Sequence, residues 1–450
     1  MGTSRARWMQ CVSVALGALL VAGSVAAQQS QATPVPQVTA ANGLPEVSLT
    51  DAIRLAQGAV PGVVVAQGNV RNANAQLRSA TGAYLPSLTA SSSGSTSFSE
   101  GTQFTSGGAQ SNSTNTSVNF GLSSSVDLFT GFRRGADRRE ARATRSAAEA
   151  SLTNAEYQAG LTATQQFFAA LAAQQLVRVR QASVRRAEEQ LKLSVAKLQV
   201  GSATRSDSLR SLVNLGNAQL AQVSAESDVA GRQAALGRTL GLDGRVAAQD
   251  DSTFYALPVT LDTAAVLREA IGQSPQVRAS EANATAARAA VAASRSTYWP
   301  SLALSGSTSW NGNDNRDYDL LAQRQLSLGL SWQLFNRFQR EETIVTRLSS
   351  LDNAEASAAD TRRQVQASLT TQFALLDAAR LRIQITRTSV AAAEEDLRVV
   401  NERYRVGAAT ILDVLNSQEA LAQAEVDVVN ARFDYLNARA QIEALIGRSL

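Results

Sequence analysis

The 450-residue sequence has no histidine, one cysteine and two methionines, and these absences exclude several kinds of catalytic site. The cysteine, Cys11, and the methionines, Met1 and Met9, all lie in the first 27 residues, which have the pattern of a cleaved segment. Without them the chain has no thiol, thioether or imidazole, so cysteine and histidine nucleophiles are excluded and a soft metal has no ligands. Composition leaves a serine or paired-carboxylate enzyme open, but the sequence has no glycine-rich elbow and no isolated pair of acids. We therefore predict that the protein is not an enzyme and has no cofactor or metal site.

Residues 1–27 resemble a secretory signal peptide. Arg5 and Arg7 precede a mostly apolar run at 11–22, and small residues at 25–27 suit a cleavage site. The remaining chain has no run of about 20 apolar residues, so no membrane-spanning helix is predicted. Loss of the two arginines lowers the formal charge from +4 to +2. So small a charge does not favour nucleic acid as a partner.

Proline is scarce, and its eight residues leave two long proline-free stretches. Because proline breaks helix interiors, each stretch can hold long helices. The sequence predicts one helix at 133–198 and another at 337–404, each about 100 Å long at 1.5 Å per residue. Shorter helices are predicted at 51–83 and 204–240. Helices of about 100 Å do not fit inside a globular core, so we predict an elongated helical body.

Two segments change from a helical period to an alternation of apolar and polar residues. Phe120 and Leu122 alternate with asparagine, glycine and serine, and Leu328 lies in a second segment of the same kind. This pattern is typical of strands with one polar face, either in a lipid-facing β-barrel wall or at the edge of a soluble sandwich. We predict two hairpins, 85–130 and 299–336, the first with a loop at 100–115. Four strands cannot close a barrel, so a barrel would need several copies of the chain.

The second half of the chain repeats the first. Pro86 corresponds to Pro300 at an offset of 214, and Gly201 corresponds to Gly407 at an offset of 206. Such self-similarity indicates an internal duplication. The predicted organisation is a signal peptide at 1–27, an N-terminal arm at 28–48, a first repeat at 49–241, a linker at 242–261 and a second repeat at 262–450.

Each repeat is predicted to have a turn, near 201 and near 407, between its long helix and the helix that returns. The two turns share the same residue types, which are Gly201, Thr204 and Asp207 in the first and Gly407, Thr410 and Asp413 in the second. The glycines stand where a helix C-terminal cap often needs positive φ. A threonine three residues before an aspartate has the spacing of a capping box for the returning helix.

These features together resemble the TolC-like family of outer-membrane efflux channels. The resemblance rests on Tyr404-Arg405-Val406-Gly407 with the residues up to 415, on the matching 200–207, and on Tyr-X-Pro-Ser-Leu at 84–88 and 298–302. It covers nearly all of the chain after the signal peptide. It implies an α+β membrane protein in which duplicated long helical hairpins form a periplasmic α-barrel and four strands per chain contribute to an oligomeric transmembrane β-barrel.

The resemblance also implies a function and partners. The protein would be the channel-tunnel of a tripartite efflux pump or a type I secretion system in the outer membrane of a Gram-negative bacterium, exporting small molecules or proteins. Its implied partners are two further copies of itself, a periplasmic adaptor protein, an inner-membrane pump and outer-membrane lipid. The alternative is a trimeric surface stalk or adhesin that uses the long helices only as a spacer.

A site at the helix tips follows from the resemblance too. Copies of Asp207, Asp413 and Tyr404 would meet at a constriction and act as a gate, with the Tyr404 hydroxyl bonded across neighbouring hairpins. Ala409 and Asn416 depart from the family's pattern at this gate. The candidate contacts with the adaptor are Val200, Gly201, Val406 and Gly407.

Overall fold

The structure is a computed structural model, and it describes residues 40–41, 43–105, 108–255, 272–313 and 319–448. The predicted signal peptide, most of the predicted arm, and positions 256–271 of the predicted linker and second repeat lie outside these residues. All elements described below belong to one unit, Ala40–Leu450.

Seven α-helices account for most of the described chain. They are α1 (Leu49–Ala59), α2 (Pro61–Gly82), α3 (Arg133–Gln199), α4 (Arg205–Leu240), α5 (Pro275–Ser294), α6 (Gln339–Arg405) and α7 (Ile411–Ile446). The long helices α3 and α6 have 67 residues each, and their limits agree with the predictions to within two residues. No helix in the part of the chain described is both long and apolar enough to cross a membrane.

The predicted helix at 51–83 is divided into α1 and α2. Ser48 starts α1 by accepting a hydrogen bond from the Asp51 amide at 3.2 Å. The division falls at Val60, whose extended backbone (ψ 125°) ends α1 before Pro61. Proline disfavours helical geometry in the residue before it, and it suits the first position of a new helix.

The helices form a row with α3 in its middle. On one side α3 packs against α1, α2 and α4, and on its other side against α5 and α7, which in turn pack against α6. Alanine fills many of these contacts, and larger side chains such as Leu369, Phe373 and Ile442 are buried between α6 and α7. The small residues allow close approach of long helices, so the core is thin and extended along the row.

One antiparallel sheet contains four strands in the order β3 (Ser87–Thr105), β4 (Gly108–Phe129), β6 (Ser301–Asn313) and β7 (Leu321–Ser331). Pairing of β4 with β6 joins the two hairpins, with Val126 opposite Leu304. The prediction of a loop at 100–115 is wrong, because β3 and β4 stay paired to the end of the hairpin with one irregularity. Backbone amides make the ladder and need no alternation of apolar side chains.

A second, small sheet joins the start of the described chain to the segment between the repeats. It contains β1 (Ala40–Ala41), β2 (Leu44–Val47) and β5 (Ala247–Ala248), and β2 pairs with β5 in parallel. The predicted N-terminal arm therefore ends in a paired strand. Part of the predicted linker 242–261 is also ordered against it.

Candidate functional site at the helix tips

Both predicted turns, which we call tip 1 (197–207) and tip 2 (403–413), contain a capping box. At tip 1 the Asp207 carboxylate accepts a hydrogen bond from the Thr204 amide at 2.9 Å, and the Asp207 amide donates to the Thr204 hydroxyl at 3.2 Å. At tip 2 the distances between Thr410 and Asp413 are 2.8 and 3.3 Å. These bonds satisfy amides that the first turn of α4 and of α7 would otherwise leave unpaired.

The glycines of the tips end the long helices. Gly201 has φ 74° and Gly407 has φ 82°, and a Cβ at either would meet no atom within 4 Å. The amide after each glycine returns to a helical carbonyl, from Ser202 to Lys197 at 2.8 Å and from Ala408 to Arg403 at 2.7 Å. This is the Schellman pattern, and glycine is favoured there for its backbone conformation alone.

The two candidate aspartates have different surroundings. The Asp413 carboxylate accepts hydrogen bonds from the Thr410 amide and from the Thr410 hydroxyl, the latter at 2.8 Å. The bond from the amide contributes most, and together the two bonds hold the pKa of Asp413 below its usual range. Asp413 is exposed, whereas Asp207 is half-buried. A carboxylate that accepts several hydrogen bonds favours its charged form, so Asp413 stays ionised near neutral pH.

Lys197 joins tip 1 to tip 2, and the sequence reasoning did not identify it. Its ammonium donates to the backbone carbonyl of Tyr404 and lies 4.1 Å from the centre of the Tyr404 ring. The expected hydroxyl bond of Tyr404 to another hairpin is not made within the described chain, because the hydroxyl is buried without a partner and the side chain is 5% exposed. Within the described chain, the ring and the carbonyl of Tyr404 are the groups that contact Lys197.

The equivalent cation in the second repeat acts differently. Arg403 corresponds to Lys197 at the offset of 206, and its guanidinium donates to Ala408 of its own turn at 3.3 Å. Repetition of the sequence therefore does not predict the Lys197–Tyr404 contact. A basic residue at both positions was the only sequence signal.

Two further polar contacts join the repeats behind the tips. Arg186 of α3 makes two hydrogen bonds to Glu425 of α7, at 3.0 and 2.7 Å, with the two side chains 23% and 19% exposed. Asn214 of α4 donates to Gln418 of α7 at 3.2 Å. A charged pair of this burial and geometry is more strongly coupled than an exposed pair.

The valines beside the tip glycines are exposed. Val200 is 78% exposed and Val406 is 80% exposed. Each lies one residue before a glycine with positive φ, so the two tips present the same apolar side chain on the same kind of turn. A partner protein could bury both.

A second duplicated structure lies where the sheet meets the helices. Arg134, the second residue of α3, donates to the carbonyls of Ala83 at 3.4 Å and Leu128 at 3.3 Å, and lies 5.0 Å from the Tyr84 ring centre. Its carbonyl partners belong to the segment before β3 and to the end of β4. One guanidinium therefore holds the start of α3 against both ends of its hairpin.

The second repeat has the same arrangement. Arg340 donates to the carbonyls of Thr297 at 3.5 Å and Leu334 at 3.4 Å, and lies 4.3 Å from the Tyr298 ring centre. Its side chain is only 10% exposed. Phe338, which precedes α6, has φ 63°, a left-handed conformation that is rare for a bulky residue. The arginine fixes the direction in which the helix leaves the sheet.

Comparison with known proteins finds the same family in both halves of the chain. The model of the outer membrane efflux protein family matches residues 52–242 and 266–448. The outer membrane efflux protein BepC of Brucella suis is 26% identical over 292 residues, which are 60% of this chain and 60% of that protein. The alkaline protease secretion protein AprF of Pseudomonas aeruginosa is 24% identical over 62% of this chain and 59% of its own. The chain thus spans about three fifths of the length of these two relatives.

Solved structures share the fold at low sequence identity. The outer membrane protein VceC from Vibrio cholerae has a TM-score of 0.72 at 16% identity, over 89% of this chain and 96% of its own. The CmeC outer membrane channel of Campylobacter jejuni has a TM-score of 0.74 at 17% identity, over 89% and 85%. Because the family model matches most of the chain in both repeats, the chain belongs to the outer membrane efflux protein family, whose members lie in the outer membrane of Gram-negative bacteria.

Proposed function

We propose that the protein is an outer-membrane channel that exports small molecules or proteins through a trimer. Three copies would supply twelve strands to one membrane-spanning barrel, and their helical hairpins would form a tunnel across the periplasm. An adaptor protein and an inner-membrane pump would deliver the cargo. The names of the relatives support both efflux and secretion as outward transport of this kind.

The observation that carries the proposal is the apolar face of the four-stranded sheet. Directly paired residues lie on the same face, and Phe120 pairs with Trp310, while Leu304 pairs with both Val126 and Leu328. The opposite face has serine pairs joined by their hydroxyls, as between Ser305 and Ser327 at 2.7 Å. An apolar outer face and a polar inner face are what a barrel wall in lipid requires.

The height of this face fits a membrane. Val118 and Leu128 mark its ends on β4, ten residues apart. At about 3.3 Å per residue and a strand tilt of about 40°, ten residues span about 25 Å along the membrane normal, which matches the apolar band of outer-membrane barrels.

The edges of the described sheet support the oligomer. Strands β3 and β7 each pair with one strand only within the described residues, so each has a free edge. An open edge in lipid leaves backbone groups unpaired at a cost of several kcal/mol each, and closure of three sheets into one barrel removes all edges.

Exposed apolar side chains on the outer helices of the row point to the same assembly. Leu220 and Val223 on α4 are 71% and 63% exposed, and Leu381 and Ile385 on α6 are 58% and 65% exposed. The helices α4 and α6 lie at opposite sides of the row, so α6 of one copy can cover α4 of the next. Such patches on long helices favour burial against another helix.

We infer that tips 1 and 2 form the gate of this channel and its contact with the adaptor. The Lys197–Tyr404 contact and the two capping boxes would hold the tips together in the closed state. Val200 and Val406, with Gly201 and Gly407, would be covered by the adaptor when the pump assembles. This assignment is supported by the exposure of both valines and by the duplication of the turn.

Two adjacent substitutions test the membrane face. Leu328→Arg would place a charge on the proposed lipid face at a cost of about 2 to 4 kcal/mol, whereas Ser327→Arg would place the same charge on the polar face. We expect wild type and Ser327→Arg to fractionate with the outer membrane and to conduct ions in planar bilayers, and Leu328→Arg to assemble poorly.

Two results would overturn the proposal. One is a wild-type protein that fractionates as soluble and forms no pores, as a spacer stalk without a channel would. The other is equal assembly of the two arginine variants, because it would mean that neither face meets lipid. The mass of the detergent-solubilised protein would separate a trimer from a dimer.

A further inference from the structure

A cleft opens where the sheet meets the helices of the second repeat. It has a volume of about 490 Å³ and is lined by Arg295, Tyr298, Trp299, Trp332 and Ile344. Both tryptophans are largely exposed, at 58% and 59%. A cleft of this volume can hold a small polar group together with part of an apolar chain.

The cleft continues the apolar face of the sheet. Trp332 follows Leu328 and Leu330 at two-residue spacing, so its side chain extends the same row just beyond β7. The indole of Trp332 donates to the carbonyl of Tyr298 at 3.3 Å, which fixes the ring at the cleft wall. Tryptophans held in this way, with one apolar side and one polar edge, are typical of membrane interfaces.

Arg295 supplies the charge in the cleft. It is exposed, and its guanidinium has no ion-pair partner among the residues that the structure describes. The other cation nearby, Arg340, is already bound to backbone carbonyls and to the Tyr298 ring. The acid nearby, Glu341, accepts from the Tyr298 hydroxyl at 3.4 Å and lies 3.7 Å from Arg340. Arg295 is therefore the cation available to a ligand.

We propose that this cleft binds the phosphate of an anionic phospholipid, whose headgroup carries no balancing cation, in the periplasmic leaflet of the outer membrane. The inference rests on the proposed function, which sets the sheet in lipid and the helices in the periplasm. Arg295 contacts the phosphate, the two tryptophans flank the glycerol region, and the acyl chains lie along Leu330 and Leu328. Guanidinium groups bind phosphate oxygens through paired N–H donors, which gives the site its charge selectivity.

The first repeat provides an internal comparison. At offsets of 214 and 206, the five lining residues correspond to Thr81, Tyr84, Leu85, Val126 and Arg138. Neither tryptophan is repeated, and a threonine stands in place of Arg295. The cleft is therefore a property of the second repeat rather than of the duplicated junction, and each chain has one such site within the described residues.

Tryptophan fluorescence can test the site because the sequence has only four tryptophans. With Trp8 and Trp310 changed to phenylalanine, the signal comes from the two tryptophans of the cleft. The protein is reconstituted in phosphatidylcholine vesicles, and phosphatidylglycerol brominated near its headgroup is added as the quencher. We expect half-quenching at a lower lipid fraction than with brominated phosphatidylcholine.

Variants of Arg295 then measure the role of its charge. Arg295→Gln should raise the brominated phosphatidylglycerol fraction needed for half-quenching by about tenfold, the size of effect that a lost hydrogen bond to a charged group produces. Arg295→Lys should restore part of the selectivity. Arg347→Gln, which removes an exposed arginine of α6 outside the cleft, should leave the quenching curve unchanged.

The outcomes separate this inference from the proposed function. Equal quenching by the two brominated lipids, or an Arg295→Gln curve equal to wild type, would overturn the lipid site while the same reconstituted protein still conducts. If the wild-type protein neither enters the vesicles nor conducts, the proposed function fails and the lipid site fails with it.

Discussion

Replacement of Lys197 by methionine should open the proposed gate. Methionine keeps most of the length of the side chain and loses the charge, so both the hydrogen bond to the Tyr404 carbonyl and the contact with its ring disappear. A hydrogen bond from a charged group contributes about 1.5 kcal/mol or more, and a partly exposed cation–π contact about 0.5 kcal/mol or more. The sum is about 2 kcal/mol per chain, or roughly 30-fold in the equilibrium between joined and separated tips.

Single-channel recording in planar bilayers measures this change directly. Lys197→Met should raise the open probability by roughly that factor, and uptake of a large antibiotic by whole cells should rise with it. Lys192→Met removes an exposed lysine five residues earlier on α3 and is the matched control. Tyr404→Phe removes only a buried hydroxyl without a partner in the described chain, so it should conduct like wild type. The reasoning is refuted if Lys197→Met stays closed, or if Tyr404→Phe opens the channel as much.

Three other substitutions test the tips and the junctions. Arg340→Ala should lower stability by about 1 to 2 kcal/mol, because the hydrogen bonds to the carbonyls of Thr297 and Leu334 and the contact with the Tyr298 ring are lost. Exposed Arg347→Ala should change stability by less than about 0.5 kcal/mol, and thermal unfolding in detergent compares the two variants. Since the folded pKa of Asp413 is lowered, its cap stabilises the fold above the unfolded pKa and is lost as pH falls through the folded value. The melting temperature of wild type should therefore fall more steeply than that of Asp413→Asn as the pH drops below the ordinary pKa of an aspartate, and parallel curves would contradict this sign. Gly407→Ala should lower the free energy of unfolding by about 1 to 2 kcal/mol from its φ of 82° alone. Gly447→Ala should lower it further, because the added Cβ would also lie 2.9 Å from a proline ring. If Gly407→Ala melts at the lower temperature of the two, strain is not the cause.

The long helices could be predicted closely because local signals mark their uninterrupted interiors and their C-terminal ends. Proline is absent from both, and each ends at a glycine that must take positive φ. The capping boxes were equally accessible, since Thr204 and Asp207 lie only three residues apart. Signals of this kind involve neighbours in the chain, so the sequence alone reveals them.

The missed features depend on residues far apart in the chain. Lys197 and Tyr404 are 207 positions apart, and Arg403 at the equivalent place binds its own turn instead. Nothing in either residue's neighbourhood distinguishes these outcomes. The full length of β3 was missed for a different reason, because its outer part lacks apolar alternation although its backbone is paired to Thr105. Hydrophobic pattern reports which side chains are buried and does not report which amides are bonded.

The two hairpins differ in length, and this difference affects which part of the protein at the cell surface can change in sequence. The strands β3 and β4 have 19 and 22 residues, against 13 and 11 for β6 and β7. In the proposed orientation the surplus extends outside the cell as a ribbon rich in serine, threonine and glycine, whose pairing depends on main-chain bonds. Phages and antibodies that recognise this ribbon would therefore select for new side chains there. Such changes would alter recognition of the bacterium while the conducting path beneath stays the same.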